Sequence, residues 1–371
     1  MNIVTLGLSI TSAWDHGHAT THRALVRALT ARGHELLFLE RDSKRGLENS
    51  DLAEPPYCHA RLYASLDELQ RKYCGDIEEA DLVVVGSHVP EGIAVADLVL
   101  KEARGCTAFY DFNTPVTLAK LQGAGAEYIE RRQVGAFNLY LSFTGGPTLE
   151  RLERKFRAQR ARPLYCSVDE ELYGQDPLTV RDVDLGYLGT YRVDCQPALE
   201  ELLLSPARSW PAGRFMIAGA QYPASFEVPA NVQRNAHLSP AEHRGFYNGL
   251  RFALNVTPPD MIEAGYSPSV RLFEAGACAT PIITDEWRGL SSIFSPGHEV
   301  LIARSARDIV TYLHEVSDQE RTAIGENARR RVLTSHTSAK RALELERYVA
   351  EVNPHLIGST KLRGSRTVRM A

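Results

Sequence analysis

The sequence is poor in sulfur, and what it has is scattered. Six cysteines, Cys58, Cys74, Cys106, Cys166, Cys195 and Cys278, are spread over 371 residues with no CxxC pair. That argues against a disulfide framework and against a cysteine zinc site. No excess of positive charge is present either: 42 lysines and arginines face 46 aspartates and glutamates, a formal net charge of -4. Nucleic acid is therefore not an expected partner, since its binders carry a basic face. No apolar run approaches the length of a transmembrane helix, and "MNIVTLGLSITSAWDHG" lacks the basic and apolar regions of a secretory signal. A cytoplasmic location is the expectation. Tandem repeats and low-complexity segments are missing. So are a GxGxxG after the first apolar run and a GxxxxGK[ST] anywhere, which removes the phosphate-cradling turns of nicotinamide and P-loop proteins. Glu40 then reads as the end of a second strand rather than a ribose ligand.

What the chain does have is alternation. Apolar runs of strand length, "NIVTLGL", "ELLFLE", "DLVVVGS", "CTAFYDF" and "NLYLSF", are separated by helical patterns, the first from about Ala19 to Arg32 with Gly33 as its stop. The second half repeats the habit with "DLGYLGT", "RFMIAG", "VQRNAHL", "RFALNVT", "TPIITD" and "EVLIA". Such alternation predicts an α/β chain of two doubly wound, Rossmann-like domains, each with a parallel sheet covered on both faces. The expected divisions are 1–168, 169–336, and a closing helix with a basic tail over 337–371. Ligands of such folds sit beyond the carboxyl ends of strands, so the residues just after each strand are the candidates. They include Asp15 and His16, His88, Asp111, Gly189, Arg192, Gly219 and His237. "DVD" at 182–184 precedes its strand and is at the wrong end for a metal site.

One stretch, "GYSPSVRLFEAGACATP" at 265–281, places two charges inside a small and apolar helix. Ser267 is expected to cap it and Pro268 to occupy its first position. The free amides of Ser269 and Val270 then favour an anion at the helix start, and Arg271 reaches toward the same anion. Glu274 follows on the same face; six residues of rise, roughly 9 Å, separate it from Pro268. That matches the span from a diphosphate to the ribose hydroxyls of a nucleotide. The competing reading is a surface pair between Arg271 and Glu274.

From "DLGYLGTY" through "ITDEWRGLSSIFSPGHEVLIARSARDIVTYL", and in "SAWDHGHATTHRALVRALTARGHELLFLERD", "YDFNTPVTLAKL", "LSFTGGPTLERLE" and "PLYCSVDEELY", the sequence resembles the group 1 glycosyltransferases of GT-B fold, in particular the CgeB-type (spore maturation protein) branch. The resemblance implies two facing domains around an interdomain cleft, with a nucleotide-diphosphate sugar donor on the second and an unidentified acceptor on the first. It also implies transfer with retention, without a further cofactor. In this picture Ser267, Ser269, Val270 and Arg271 meet phosphate, and Glu274 meets ribose. The related Glu-x7-Glu pattern has its first glutamate where this chain has Tyr266. After "GTY" the branch shows Asp-Arg-Gln, whereas this chain reads Asp194, Cys195, Gln196, leaving Arg192 to supply the cation.

Negative charge grows on the leaving diphosphate as the glycosidic bond breaks, and preorganised amides and an arginine stabilise it without a metal ion. A metal-independent enzyme is expected. His88 or Asp111 would orient or deprotonate the acceptor hydroxyl, with loop capping as the alternative. Asp15 and His16 would approach the sugar or acceptor, with helix capping as theirs. His18 and His22, one helical turn apart, suggest zinc only weakly, since no further ligand is visible. A non-catalytic sugar-nucleotide-binding protein, or an epimerase or hydrolase of the same architecture, would use the same residues.

Overall fold

The computed structural model describes residues 1–12, 17–42, 51–52, 54–236 and 238–355, with residues 17 and 18 as backbone only. Its contacts divide the chain into two units. One comprises Met1–Tyr165 and the closing stretch from Ala339; the other is Cys166–Ser338. The break falls just ahead of Val168, and the basic tail after residue 355 lies outside the described residues.

The first unit holds seven parallel strands: β1 (Asn2–Gly7), β2 (Glu35–Arg41), β3 (His59–Tyr63), β4 (Leu82–Gly86), β5 (Cys106–Asp111), β6 (Leu139–Ser142) and β7 (Ala161–Pro163). Their order is β3-β2-β1-β4-β5-β6-β7, so the winding reverses between β1 and β4. Every residue of β4 and β5 is buried, because helices cover both faces of a parallel sheet and leave no polar side. The helix Gly17–Ala31 closes on Gly33, which at φ 85° takes the left-handed turn that ends it.

Strand β3 has no counterpart in the sequence reading. It lies at the edge, its "HARLY" is half-exposed along most of its length, and a strand open to water needs no apolar run. Glu40, at the end of β2, is more than a strand end. Its buried carboxylate accepts hydrogen bonds from the Ile10 and Thr11 amides at 2.7 and 3.1 Å and from the Ser9 and Thr11 hydroxyls at 2.9 Å, clasping the chain that leaves β1.

The helix Ser338–Val352 returns to this first unit. Ala342, Leu345 and Val349 form its buried stripe, at the spacing one helix face requires. Arg341, only 2% exposed, donates to the Tyr165 carbonyl at 3.1 Å and to both oxygens of Glu344 at 3.0 Å. Farther along, Glu346 accepts from Arg32 at 2.6 Å and meets His34 Nε2 at 2.8 Å. Burial holds the His34 imidazole below its ordinary pKa, only partly offset by Glu346. Burial pushes Glu346 up, but hydrogen bonds from Arg32 and His34 outweigh it and leave the carboxyl below its usual range.

Both shifts act in the same direction. A histidine kept neutral in the folded state loses stability as pH falls below its unfolded pKa, about 6.5, and a depressed carboxyl loses its contribution at still lower pH. Thermal unfolding is expected to shift downward between pH 7 and 5. In His34→Gln that step should flatten while the loss below pH 5 remains.

The second unit holds six parallel strands: β8 (Val183–Leu188), β9 (Phe215–Ala218), β10 (Val232–Asn235), β11 (Leu250–Asn255), β12 (Ile282–Thr284) and β13 (Leu301–Ile302). Their order is β10-β9-β8-β11-β12-β13, with the reversal between β8 and β11. The apolar runs of the second half all become strands, and the ends of β8 and β11 open the crevice where such a sheet binds ligands.

Candidate functional site

Arg271 lies across that reversal. Its Nη1 donates to the Leu188 carbonyl at the end of β8 and its Nη2 to the Val256 carbonyl just past β11, both at 3.2 Å, while Nε faces Asn255 Oδ1 at 3.5 Å. The guanidinium also sits 5.2 Å from the centre of the Tyr187 ring. A planar fork with donors on separate nitrogens can bridge two strand ends and still present unused N–H groups in a fixed direction, where a lysine has a single nitrogen and fewer donors. Arg271 as a whole is half-buried at these strand ends.

The helix that carries Arg271 starts later than its sequence suggests. It spans Val270–Ala277 with Ser269 at the N-cap, and no side chain caps it. Ser267 and Pro268 belong instead to an extended lead-in. Gly265 (φ 68°) and Tyr266 (φ 49°) are both left-handed, the Tyr266 amide donates to the Arg288 carbonyl at 2.6 Å, and the Cys166 thiol donates to the Pro268 carbonyl at 3.3 Å. These contacts hold the segment extended against the turn after β12 and outweigh the local Ser-Pro capping preference. Tyr266 packs on that turn: a Cβ on Gly289 would stand 2.5 Å from its ring.

Glu274 does not pair with Arg271 on a surface. It is 4% exposed and accepts a hydrogen bond on Oε2 from the Tyr247 hydroxyl at 3.0 Å. Arg192 is also committed elsewhere: it forms a forked pair with Asp194, at 3.0 Å through Nε and 2.5 Å through Nη2, and lies 3.8 Å from Asp260. The Asp194 hydrogen bonds, working against burial, raise its pKa further. Two carboxylates therefore already face the guanidinium expected to act as the second cation.

Gly189 and Gly219 bring the ends of β8 and β9 together. A Cβ on Gly189 would lie 2.5 Å from the Tyr187 hydroxyl and 2.9 Å from Arg271 Nη1, and one on Gly219 would lie 2.1 Å from the Gly189 carbonyl oxygen. Behind Arg271, polar groups absent from the sequence reading form a network. Asn255 Nδ2 donates to the Thr257 and Thr284 hydroxyls at 3.1 and 3.0 Å, and Asp285 accepts from the Thr257 amide and hydroxyl at 2.7 and 2.6 Å. Burial pushes the Asp285 carboxyl up, against the pull of Thr257. The signal for these residues is the polar side chain that ends each apolar run, in "LNVT" and "ITD".

In the first unit, Asp111 is turned inward. It is 0% exposed, and Tyr140, Thr117 and the Asn113 amide donate to it at 2.6, 2.9 and 3.2 Å. Burial raises its pKa. A carboxylate sealed and bonded this way holds the β5 turn and has no path to an acceptor, contrary to the catalytic role expected of it. His88 is half-buried, left-handed at φ 66°, with its ring 4.4 Å from Tyr128. A non-glycine residue in that region is costly and marks a turn held by its surroundings. It follows β4, at the reversal of the first sheet.

Asp15, His16 and His237 lie outside the described residues. His22 is buried among Phe38, Tyr110 and Phe112. Among the described residues no three histidine, cysteine, aspartate or glutamate side chains gather as a metal ion would need. Asp184 of "DVD" lies at the amino end of β8, where it accepts from the Arg214 amide at 2.8 Å and Arg251 at 2.7 Å, away from the strand ends that carry Arg271.

Two parallel α/β units, each with a strand-order reversal, define the class: the architecture is that of GT-B glycosyltransferase structures with two Rossmann-like domains. Sucrose-phosphate synthase from Thermosynechococcus elongatus superposes with a TM-score of 0.67 at 14% identity, over 97% of this chain and 100% of that one. HepE from Anabaena, in complex with UDP-glucose, gives 0.66 at 12% identity over 95% and 100%. A putative UDP-N-acetylglucosamine 2-epimerase from Listeria monocytogenes gives 0.58 at 12% over 96% and 97%. At these identities the likeness is one of fold. In sequence, residues 195–347 match the family model described as "Glycosyl transferase-like", a stretch that contains Arg271, Glu274 and Asp285. No curated protein matches the chain. No helix among the described residues is long and apolar enough to cross a membrane.

Proposed function

We propose that the chain is a retaining glycosyltransferase of the CgeB-type branch, moving a sugar, a hexose or a related glycosyl unit, from a nucleotide-diphosphate donor to an acceptor. The observation that carries this reading is Arg271, bridging the ends of β8 and β11 beside an uncapped helix start. The glycosyl transferase-like match over the same segment supports it, as do the UDP-glucose held by HepE and the fold shared with sucrose-phosphate synthase. Arg271 and the first-turn amides receive the diphosphate. Glu274 offers Oε1 to the ribose while Tyr247 holds Oε2. The bond from the anomeric carbon to the phosphate oxygen breaks with its electron pair on that oxygen. The acceptor oxygen bonds to the same face, and its proton passes to the departing phosphate. His88, with Asp15 and His16, orients the acceptor on the first unit.

The positive charge that the leaving group needs comes from Arg271, so no metal ion is required. Incubation with nucleotide sugars is expected to release nucleoside diphosphate only when an acceptor source is added, at the same rate with or without EDTA. Release without acceptor would favour a hydrolase. Interconversion of the free nucleotide sugar would favour the epimerase reading, which the Listeria likeness keeps as the second choice.

A further inference from the structure

We propose that the Tyr222 hydroxyl donates directly to the donor's diphosphate, as the second side-chain group of the phosphate site beside Arg271; this rests on the nucleotide-sugar reading above. Tyr222 follows β9 through a turn in which Gly219 (φ 143°) and Gln221 (φ 66°) are both left-handed. Gln221 is not a glycine, so the conformation is held at a cost. The turn is carried on the loop after β8, since the Tyr191 amide donates to the Ala220 carbonyl at 2.9 Å and the Gly189 amide to Ala218 at 2.8 Å. The ring is fixed as firmly. It lies edge-on to Tyr191 at 5.3 Å and against Phe226 at 4.9 Å, with the Arg234 guanidinium 5.6 Å from its centre. Arg234 is itself tied to the Phe226 carbonyl at 3.0 Å.

With the ring so placed, its hydroxyl is buried and has no hydrogen-bond partner. A buried hydroxyl left unpaired is costly, and a fold that spends left-handed backbone to bring it there gains nothing from it in the unliganded state. The groups whose charge reaches it are Tyr187, Arg271, Arg234 and Cys195, and Tyr187 and Arg271 are the side chains that converge over Gly189. Burial pushes the phenol well above its ordinary pKa, so it stays protonated and acts only as a donor. Because Arg192 is paired with Asp194, a neutral donor here supplements the charge of Arg271. A phosphate oxygen gives it the charge-assisted partner that the protein does not.

Tyr222→Phe removes the oxygen and keeps the ring. Calorimetric titration with UDP, GDP, ADP and dTDP, and with the nucleoside of whichever binds wild type, reads the effect. The expected result is about a tenfold loss for the diphosphate, about 1.4 kcal/mol, no change for the nucleoside, and an unliganded melting temperature equal to or above wild type. Unchanged diphosphate affinity, or an equal loss for nucleoside and diphosphate, overturns the proposal while leaving the nucleotide-sugar reading intact. A wild type that binds none of the four diphosphates overturns both.

Discussion

Arg271→Ala is expected to lower nucleoside diphosphate affinity by about two orders of magnitude while leaving the protein folded. Hydrogen bonds to a charged partner are each worth about 1.5–3 kcal/mol, and loss of two of them gives roughly 3 kcal/mol or more, about a hundredfold. The fold is expected to survive because Arg271 stands half-buried at the strand ends rather than in the core. Arg271→Lys should recover little. A lysine brings the charge but not the fork that rests on both strand ends while facing a phosphate. Calorimetric affinity together with a melting curve separates the outcomes. Wild-type affinity in Arg271→Ala would remove the site, and an unfolded variant would make Arg271 a structural strut.

Gly219→Ala should be the most destabilising small substitution in the second unit. The added methyl would meet the Gly189 carbonyl oxygen at 2.1 Å, and the backbone at φ 143° is one that side chains rarely adopt. Both partners are main chain, so neither can swing aside, and the cost is expected at about 3 kcal/mol or more, with a melting temperature lower by several degrees. Gly297→Ala is the control. Gly297 is also left-handed, at φ 80°, but nothing lies within 4 Å of its would-be Cβ, so only the backbone preference is lost, about 1 kcal/mol. Equal melting temperatures for the two variants would refute the close approach of the β8 and β9 ends.

The sheets are legible in the sequence because strands buried on both faces are written as unbroken apolar runs, such as the Leu-Val-Val-Val of β4 and the Phe-Ala-Leu of β11. The edge strand β3 is not, since half of what it shows is water-facing. The fold places Arg271 at the carboxyl ends of its strands, as its pattern implies, yet the helix start is misread. Ser267 and Pro268 suit a cap equally well as an extended lead-in, and the choice is made by Arg288 and Cys166, which are distant in sequence. Asp111 fails as a site residue for a related reason. The turn after β5 is visible in the sequence, but whether its carboxylate looks outward depends on Tyr140 and Thr117. Arg192 looks like a spare cation until its partner Asp194 is seen beside it. Tyr222 carries no local signal: its significance lies in what its hydroxyl lacks, which only packing reveals.

The most direct test is a crystal structure of the full chain with the nucleotide sugar that binds it tightest. The diphosphate is expected within hydrogen-bond reach of Arg271 and the Tyr222 hydroxyl, at the start of the helix Val270–Ala277. A diphosphate bound elsewhere, such as in the polar cavity of about 390 Å³ lined by Ser295, His298, Arg330 and Arg331, would contradict the account.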